Sequence, residues 1–272
     1  MSLSKQQHHG ELLPGKDLEN FARKMIKLTS SVNFAGNTLI IPSVCVGNVA
    51  QLSVDLIVET LKMQKVGLCW HPAMIPIIGP PAYWRDQKDN TTTACELFTV
   101  DTAEANKRIS VMQIRSPLVA SQMHDFFDNL MEFIEKQEFK EVIVLSSCYA
   151  HEKHVVDESP FEYSASEGFK SDHQAKLDAL NWRKHSAEGF PRMLGGGFAS
   201  QLFMVLQTKK IPAMTLFKYV SEGDNSPDAR EMTTKLNDFL EVLPMKEDGT
   251  PRLTVPPSWK LLFGDAAPQS MF

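Results

Sequence analysis

No segment of the sequence approaches the about 18 consecutive apolar residues of a membrane-spanning helix, so no span is expected. No run of Lys or Arg stands out, and the net charge is −5. With no broad attraction for phosphate backbones or anionic lipid, nucleic-acid binding is not expected. The four cysteines, Cys45, Cys69, Cys95 and Cys148, are widely separated and form no C-x-x-C pair. They read as buried or free thiols in a reducing compartment. The opening stretch, Met1 to Lys16, lacks the apolar core of a secretory leader. Without that route the triplet Asn90-Thr91-Thr92 is a polar loop, not a glycosylation acceptor. Internal repeats and low-complexity linkers are also missing.

What is present is an ordinary globular composition, with 43% apolar and 22% charged residues in 272. Strand and helix patterns alternate. Thr38–Pro42 is a short apolar strand, and Gly47-Asn48 turns it into a helix with Val49, Leu52, Ser53, Leu56, Ile57, Thr60 and Leu61 on one face. Lys65–Trp70 and Met74–Ile78 read as strands interrupted by Pro72, Pro76, Pro80 and Pro81. Ala94–Val100 and Arg108–Ile114 read as strands joined by a polar turn. Met123, Phe126, Phe127, Leu130, Phe133 and Ile134 have helical spacing. The β-branched run Glu141–Leu145 has the character of a central strand covered on both faces. Residues 149–168 read as irregular, and 169–186 as moderately helical. A helix from Phe198 to Leu206, a strand from Pro212 to Val220 and a helix opening at Ser226-Pro227-Asp228 complete the pattern, with Ser226 as its N-cap. Met232, Leu236, Phe239, Leu240 and Leu243 mark the inner face of that last helix. The expected fold is α/β: a three-layer α/β/α sandwich with a mixed, mostly parallel sheet. Residues 1–24 read as a flexible extension, 25–264 as one domain and 265–272 as a flexible tail.

Each candidate for chemistry has an incomplete pattern. His151-Glu152-Lys153-His154, with Asp157 and Glu158, is rich in metal-capable groups, but its His residues are three apart and the zincin spacing is not met; no metal is expected. Gly195-Gly196-Gly197 precedes a helix, as a phosphate cradle does, yet has no G-K-[ST] ending and no dinucleotide spacing; a flexible turn, or close approach of backbone to a neighbouring element or partner, explains it better. Gly47-Asn48 stands where doubly wound folds place ligands, and a structural turn accounts for it as well. Ser146, Ser147 and Cys148 end the central strand without a nucleophile elbow. No catalytic residue and no cofactor is assigned.

Two segments suit binding. Ser221–Asp228 sets Glu222 and Asp224 beside Gly223 between a strand and a helix; carboxylates there can do acid–base work, form turns or meet basic groups on a partner. Near the C-terminus, Trp259 and Phe263 are four apart in a Pro-framed segment. The last residues, Gln269, Ser270, Met271 and Phe272, end in an apolar pair and a free carboxylate that suits a partner's pocket.

Several blocks resemble the proteasome assembly chaperone 2 family: Pro42–Leu52 with Asp55-Leu56-Ile57, Val142–Ser147, Gly195–Gly197, Lys218–Asn225 with Pro227-Asp228-Ala229, and Pro257-Ser258-Trp259 with Leu261–Gly264. They run in the family's order from about Met25 to the end. The resemblance implies a phosphorylase/hydrolase-like α/β/α sandwich without catalysis or cofactor, in cytoplasm and nucleus. It implies a heterodimer with proteasome assembly chaperone 1 that supports formation of the α-subunit ring of the proteasome and prevents wrong pairing of α-rings. Some related chaperones end in hydrophobic–Tyr–any, a tail that enters pockets between α-subunits; here Met271 stands at the Tyr position. The competing reading is a nucleoside phosphorylase or hydrolase on the same scaffold.

Overall fold

The computed structural model describes residues 25–84, 91–102, 107–153, 159–185 and 193–262. The expectations for residues 1–24, His154, Asp157, Glu158, Phe263 and the tail lie outside them.

Eight strands form one mixed sheet. In chain order they are β1 (Ile26–Leu28), β2 (Thr38–Pro42), β3 (Gln64–Cys69), β6 (Cys95–Thr102), β7 (Lys107–Ile114), β8 (Glu141–Tyr149), β9 (Phe161–Ala165) and β10 (Ala213–Val220). Two short strands, β4 (Ile78–Gly79) and β5 (Thr92–Thr93), make a separate ribbon. The spatial order is β1-β3-β6-β7-β2-β8-β10-β9. β7, β2, β8 and β10 run parallel, while the flanking pairings are antiparallel. The expected sheet is therefore corrected in one respect: parallel pairing is confined to four adjacent strands, and four of the seven pairings are antiparallel. The β6–β7 connection is too short for a crossover, so β7 returns beside β6 as an antiparallel hairpin.

Residues alternate between two cores. On one face, Leu39, Ile41, Val142, Val144, Ala213 and Phe217 pack against helices α2 (Met123–Lys136) and α4 (Ala199–Thr208). On the other, Ile40, Ile143, Leu145, Met214 and Leu216 meet α1 (Val49–Thr60), α3 (Glu167–Leu180) and α5 (Ser226–Leu240). Phe126, Phe127 and Leu130 project from α2 at helical spacing and are fully buried, each stabilising the fold by about 1.5–3 kcal/mol. Asp125 in the first turn and Lys136 in the last complement the α2 dipole.

Four local expectations change. α1 is buried almost all round, not along one stripe, because α5 covers the side turned away from the sheet; Leu52 is its one partly exposed residue. Met74–Ile78 is not one strand: Met74 makes a single bridge to Leu118, only Ile78 enters the short β4, and the surrounding prolines cannot donate to a ladder. Residues 161–165, read as irregular, form β9 against β10. Asn225, not Ser226, is the N-cap of α5, and Pro227 occupies the first turn.

Candidate functional site

The strand-end crevice, where an α/β protein keeps its ligands, is filled by the chain's own glycine turn. After β2, Ser43 donates to the Gly196 carbonyl at 2.8 Å and accepts from the Phe198 N–H at 2.9 Å. Ser146 lies within β8, which runs on through Ser147 and Cys148 to Tyr149 instead of ending before them, and it donates to the same carbonyl at 3.0 Å. Ser147 donates to the Val46 carbonyl at 2.6 Å. The Val46 N–H binds the Gly195 carbonyl at 2.8 Å, and the Tyr149 N–H binds the Leu194 carbonyl at 3.2 Å. Gly197 has φ +62°, and a Cβ there would lie 2.1 Å from the Val44 carbonyl oxygen. At Gly47, with φ +65°, a Cβ would lie 2.4 Å from the Asn225 side chain. The glycines are thus present for close approach of backbone, and the two serine hydroxyls are committed to holding it. Burial, with Cys45 and Glu162 nearby, pushes the Cys148 thiol up, opposite to what a nucleophilic cysteine needs.

The other sequence-stated candidates separate in space. His151 stacks on the Tyr149 ring at 5.2 Å and meets Glu152 at 3.4 Å. Among the described residues, no three His, Cys, Asp or Glu side chains are grouped to hold a metal. In the acidic loop, Asp224 accepts from the Ser226 N–H at 3.0 Å; these hydrogen bonds hold its carboxyl below the usual range. Asp224 is therefore a turn former at the mouth of α5. Asp228 and Glu231 clamp the buried Lys218 ammonium at 2.6 and 2.7 Å, and Asn225 ties Asp228 to the Ser221 carbonyl. Glu222 is exposed.

Trp259 lies in a 3-10 turn, Pro257–Leu261, and is partly buried with its ring under the Arg230 guanidinium at 5.8 Å. The segment carrying it crosses the outside of α1: the Thr254 N–H binds the Thr60 hydroxyl at 2.9 Å, and Lys260 sits over the Trp84 ring at 5.6 Å. Trp259 docks on its own chain against Arg230 of α5, while its neighbour Lys260 reaches Trp84.

The feature missed in the sequence is the stretch that ends at Trp84. Leu68, Trp70, Ile75, Ile77, Ile78 and Trp84 are half of the twelve large apolar residues exposed among those described, gathered in seventeen positions. Trp70 is 61% and Ile78 is 78% exposed. Monomer surfaces scatter such residues singly, so this concentration along the chain is unusual. Its signal was available: no Asp, Glu, Lys or Arg lies between Lys65 and Arg85, and Pro72, Pro76, Pro80 and Pro81 bar the stretch from a central strand.

Polar ties hold this stretch from beneath. The Ala73 N–H binds His71 Nδ1 at 3.0 Å, and the Ile75 N–H binds the Ser116 hydroxyl at 2.8 Å. The Ala82 N–H binds the Thr92 hydroxyl at 2.9 Å, and the Trp84 N–H binds Glu59 at 3.2 Å. Tyr83 turns inward to a buried cluster on α1 and β7. It donates to Asp55 at 2.7 Å; Arg115 reaches Asp55 at 2.8 Å and Gln113 reaches it at 2.7 Å. Burial and the adjacent carboxylate push the Tyr83 phenol well up. Burial opposes the Arg115 charge, but Asp55 outweighs it and keeps the guanidinium more firmly protonated than usual.

A mixed sheet covered on both faces, with its strand-end crevice occupied by its own polypeptide, defines a three-layer α/β/α protein. The chain belongs to the PAC2 family, whose model matches residues 39–246. It is 31% identical to human proteasome assembly chaperone 2 over 261 residues, covering 89% of this chain and 97% of that protein. It is 25% identical over 224 residues to the Saccharomyces cerevisiae protein of that name, covering 71% and 82%. Among solved structures it resembles Pyrococcus furiosus PbaB, an archaeal proteasome activator, with a TM-score of 0.64 at 11% identity over 80% of this chain and 89% of that one. It also resembles P. furiosus PbaA, an archaeal homolog of proteasome-assembly chaperone, with a TM-score of 0.61 at 12% identity over 82% and 89%.

Proposed function

We propose that this chain is a proteasome assembly chaperone that works as a heterodimer with proteasome assembly chaperone 1. The pair promotes formation of the α-subunit ring of the proteasome core particle and prevents α-rings from pairing wrongly, in the cytoplasm and nucleus. The observation that carries the reading is similarity to human proteasome assembly chaperone 2 along nearly the whole of that protein. The filled glycine crossing supports binding over phosphorylase-like catalysis, since the place for a phosphate is taken by Gly195–Gly197 and the serines that hold them. The test is co-production with proteasome assembly chaperone 1, followed by mass measurement and an α-ring assembly assay. A one-to-one complex that raises the yield of α-rings is expected; a chain that ignores chaperone 1 and leaves ring yield unchanged overturns the reading. Gln269–Phe272 form a docking tail within this function, with Glu222 a rim contact. Deleting Gln269–Phe272 weakens binding of the heterodimer to α-rings, and unchanged affinity removes the tail from the proposal.

A further inference from the structure

We propose that the apolar stretch Leu68–Trp84 is the surface on which this chain meets its permanent partner subunit, a different polypeptide with an uncharged, apolar facing surface. The inference rests on the heterodimer reading and names the site that reading leaves unassigned. Three properties of the stretch carry it.

The first is composition. The stretch itself contains no charged residue, with Lys260 reaching only its Trp84 end, and depletion of charge at the centre is what separates an interface core from ordinary surface. Permanent interfaces are the more hydrophobic class, whereas a client released after assembly meets a more polar one. The second is area. Trp70, at 61% exposure, offers on the order of 100–150 Å² by itself. With Leu68, Ile75, Ile77, Ile78 and Trp84 the stretch supplies several hundred Å² of apolar contact, a large part of the roughly 800 Å² per partner of a stable complex.

The third is rigidity. Inward polar ties at Ala73, Ile75, Ala82, Tyr83 and Trp84 alternate with outward apolar side chains. Four prolines narrow the conformations of the free segment further. A surface ordered in advance loses little entropy on binding, which suits a constitutive partner. A flexible client-holding surface would lack these ties.

The experiment uses the full chain co-produced with proteasome assembly chaperone 1. Hydrogen exchange of the wild-type pair against the isolated chain is expected to show protection concentrated in residues 70–84. An Ile75→Lys/Ile78→Lys double variant is expected to bind chaperone 1 on the order of 100-fold more weakly, with its melting temperature unchanged because both side chains lie at the surface. Wild-type binding with undiminished variant binding, or with protection elsewhere, overturns the surface alone. Protection of 70–84 only on adding α-subunits, or in a self-dimer of the isolated chain, overturns the assignment to chaperone 1. A wild-type chain that does not bind chaperone 1 overturns the functional reading and the surface with it.

Discussion

Replacing Gly197 by Ala tests the glycine crossing with one methyl group. The residue sits at φ +62°, where an L side chain costs about 1–2 kcal/mol. The new Cβ would stand 2.1 Å from the Val44 carbonyl oxygen and 2.6 Å from the Ser43 hydroxyl, both fixed by the end of β2. Forcing the turn away from β2 adds overpacking strain of about 1–3 kcal/mol. It also stretches the Ser43 bonds to Gly196 and Phe198, which contribute about 1 kcal/mol each. Ala restricts the unfolded chain and returns about 0.4–1 kcal/mol. The net is a loss of about 3–7 kcal/mol. Gly249 is the control: it has φ +77°, but nothing lies within 4 Å of its added Cβ, so Ala there loses only about 1 kcal/mol. The assay is urea unfolding of the two variants followed by far-UV circular dichroism, with chaperone 1 binding as a check of function. If Gly197→Ala is no less stable than Gly249→Ala, the crossing is not a close-packed contact, and the argument that it excludes a ligand fails with it.

The buried cluster beneath Tyr83 gives a second expectation. Asp55→Ala leaves Arg115 and the Tyr83 hydroxyl without their common acceptor and destabilises the fold by about 3–5 kcal/mol in chemical denaturation; a loss under 1 kcal/mol would show that the cluster is not a structural anchor. His71 gives a pH dependence. Burial holds its pKa below 6.5 against the opposing pull of Asp125, so the folded state prefers the neutral ring. Its contribution is complete above pH 6.5 and is lost as pH falls through the lowered folded value. Since Nδ1 accepts from the Ala73 N–H, exchange of that amide, corrected for its intrinsic rate, accelerates on acidification below pH 6.5; a pH-independent corrected rate contradicts the assignment.

The elements most legible in the sequence were those whose pattern has one cause. β8 and α2 announce themselves by a continuous β-branched run and by 3.6-residue spacing; both occur, though β8 runs four residues past Leu145 to Tyr149 and α2 opens at Met123. β9 was obscured because Phe161-Glu162-Tyr163-Ser164-Ala165 carries a glutamate facing inward; its charge is met by Arg183 and His185, contributed by residues that no local pattern links to it. The single apolar stripe read into α1 failed for a similar reason. Its second covering layer comes from α5, about 180 residues away, and Thr233 bonds back to the Ser53 carbonyl across that distance. The site divides along the same line. The close approach of Gly195–Gly197 was among the readings, but not its target. The exposure of Leu68–Trp84 is hidden because its apolar residues fit a strand pattern, although the prolines between them argue against one.

The hydroxyl that joins Ser43 to Gly196 spans 153 positions of the chain. At about 5–20 residues per second of synthesis, roughly 8–30 s separate the making of one partner from the making of the other. Throughout that interval β2 has neither of its parallel neighbours at first, and then lacks the turn that closes its end. The protein's centre is thus among the first parts translated and the last completed, leaving the newborn chain with an open sheet edge of its own to protect.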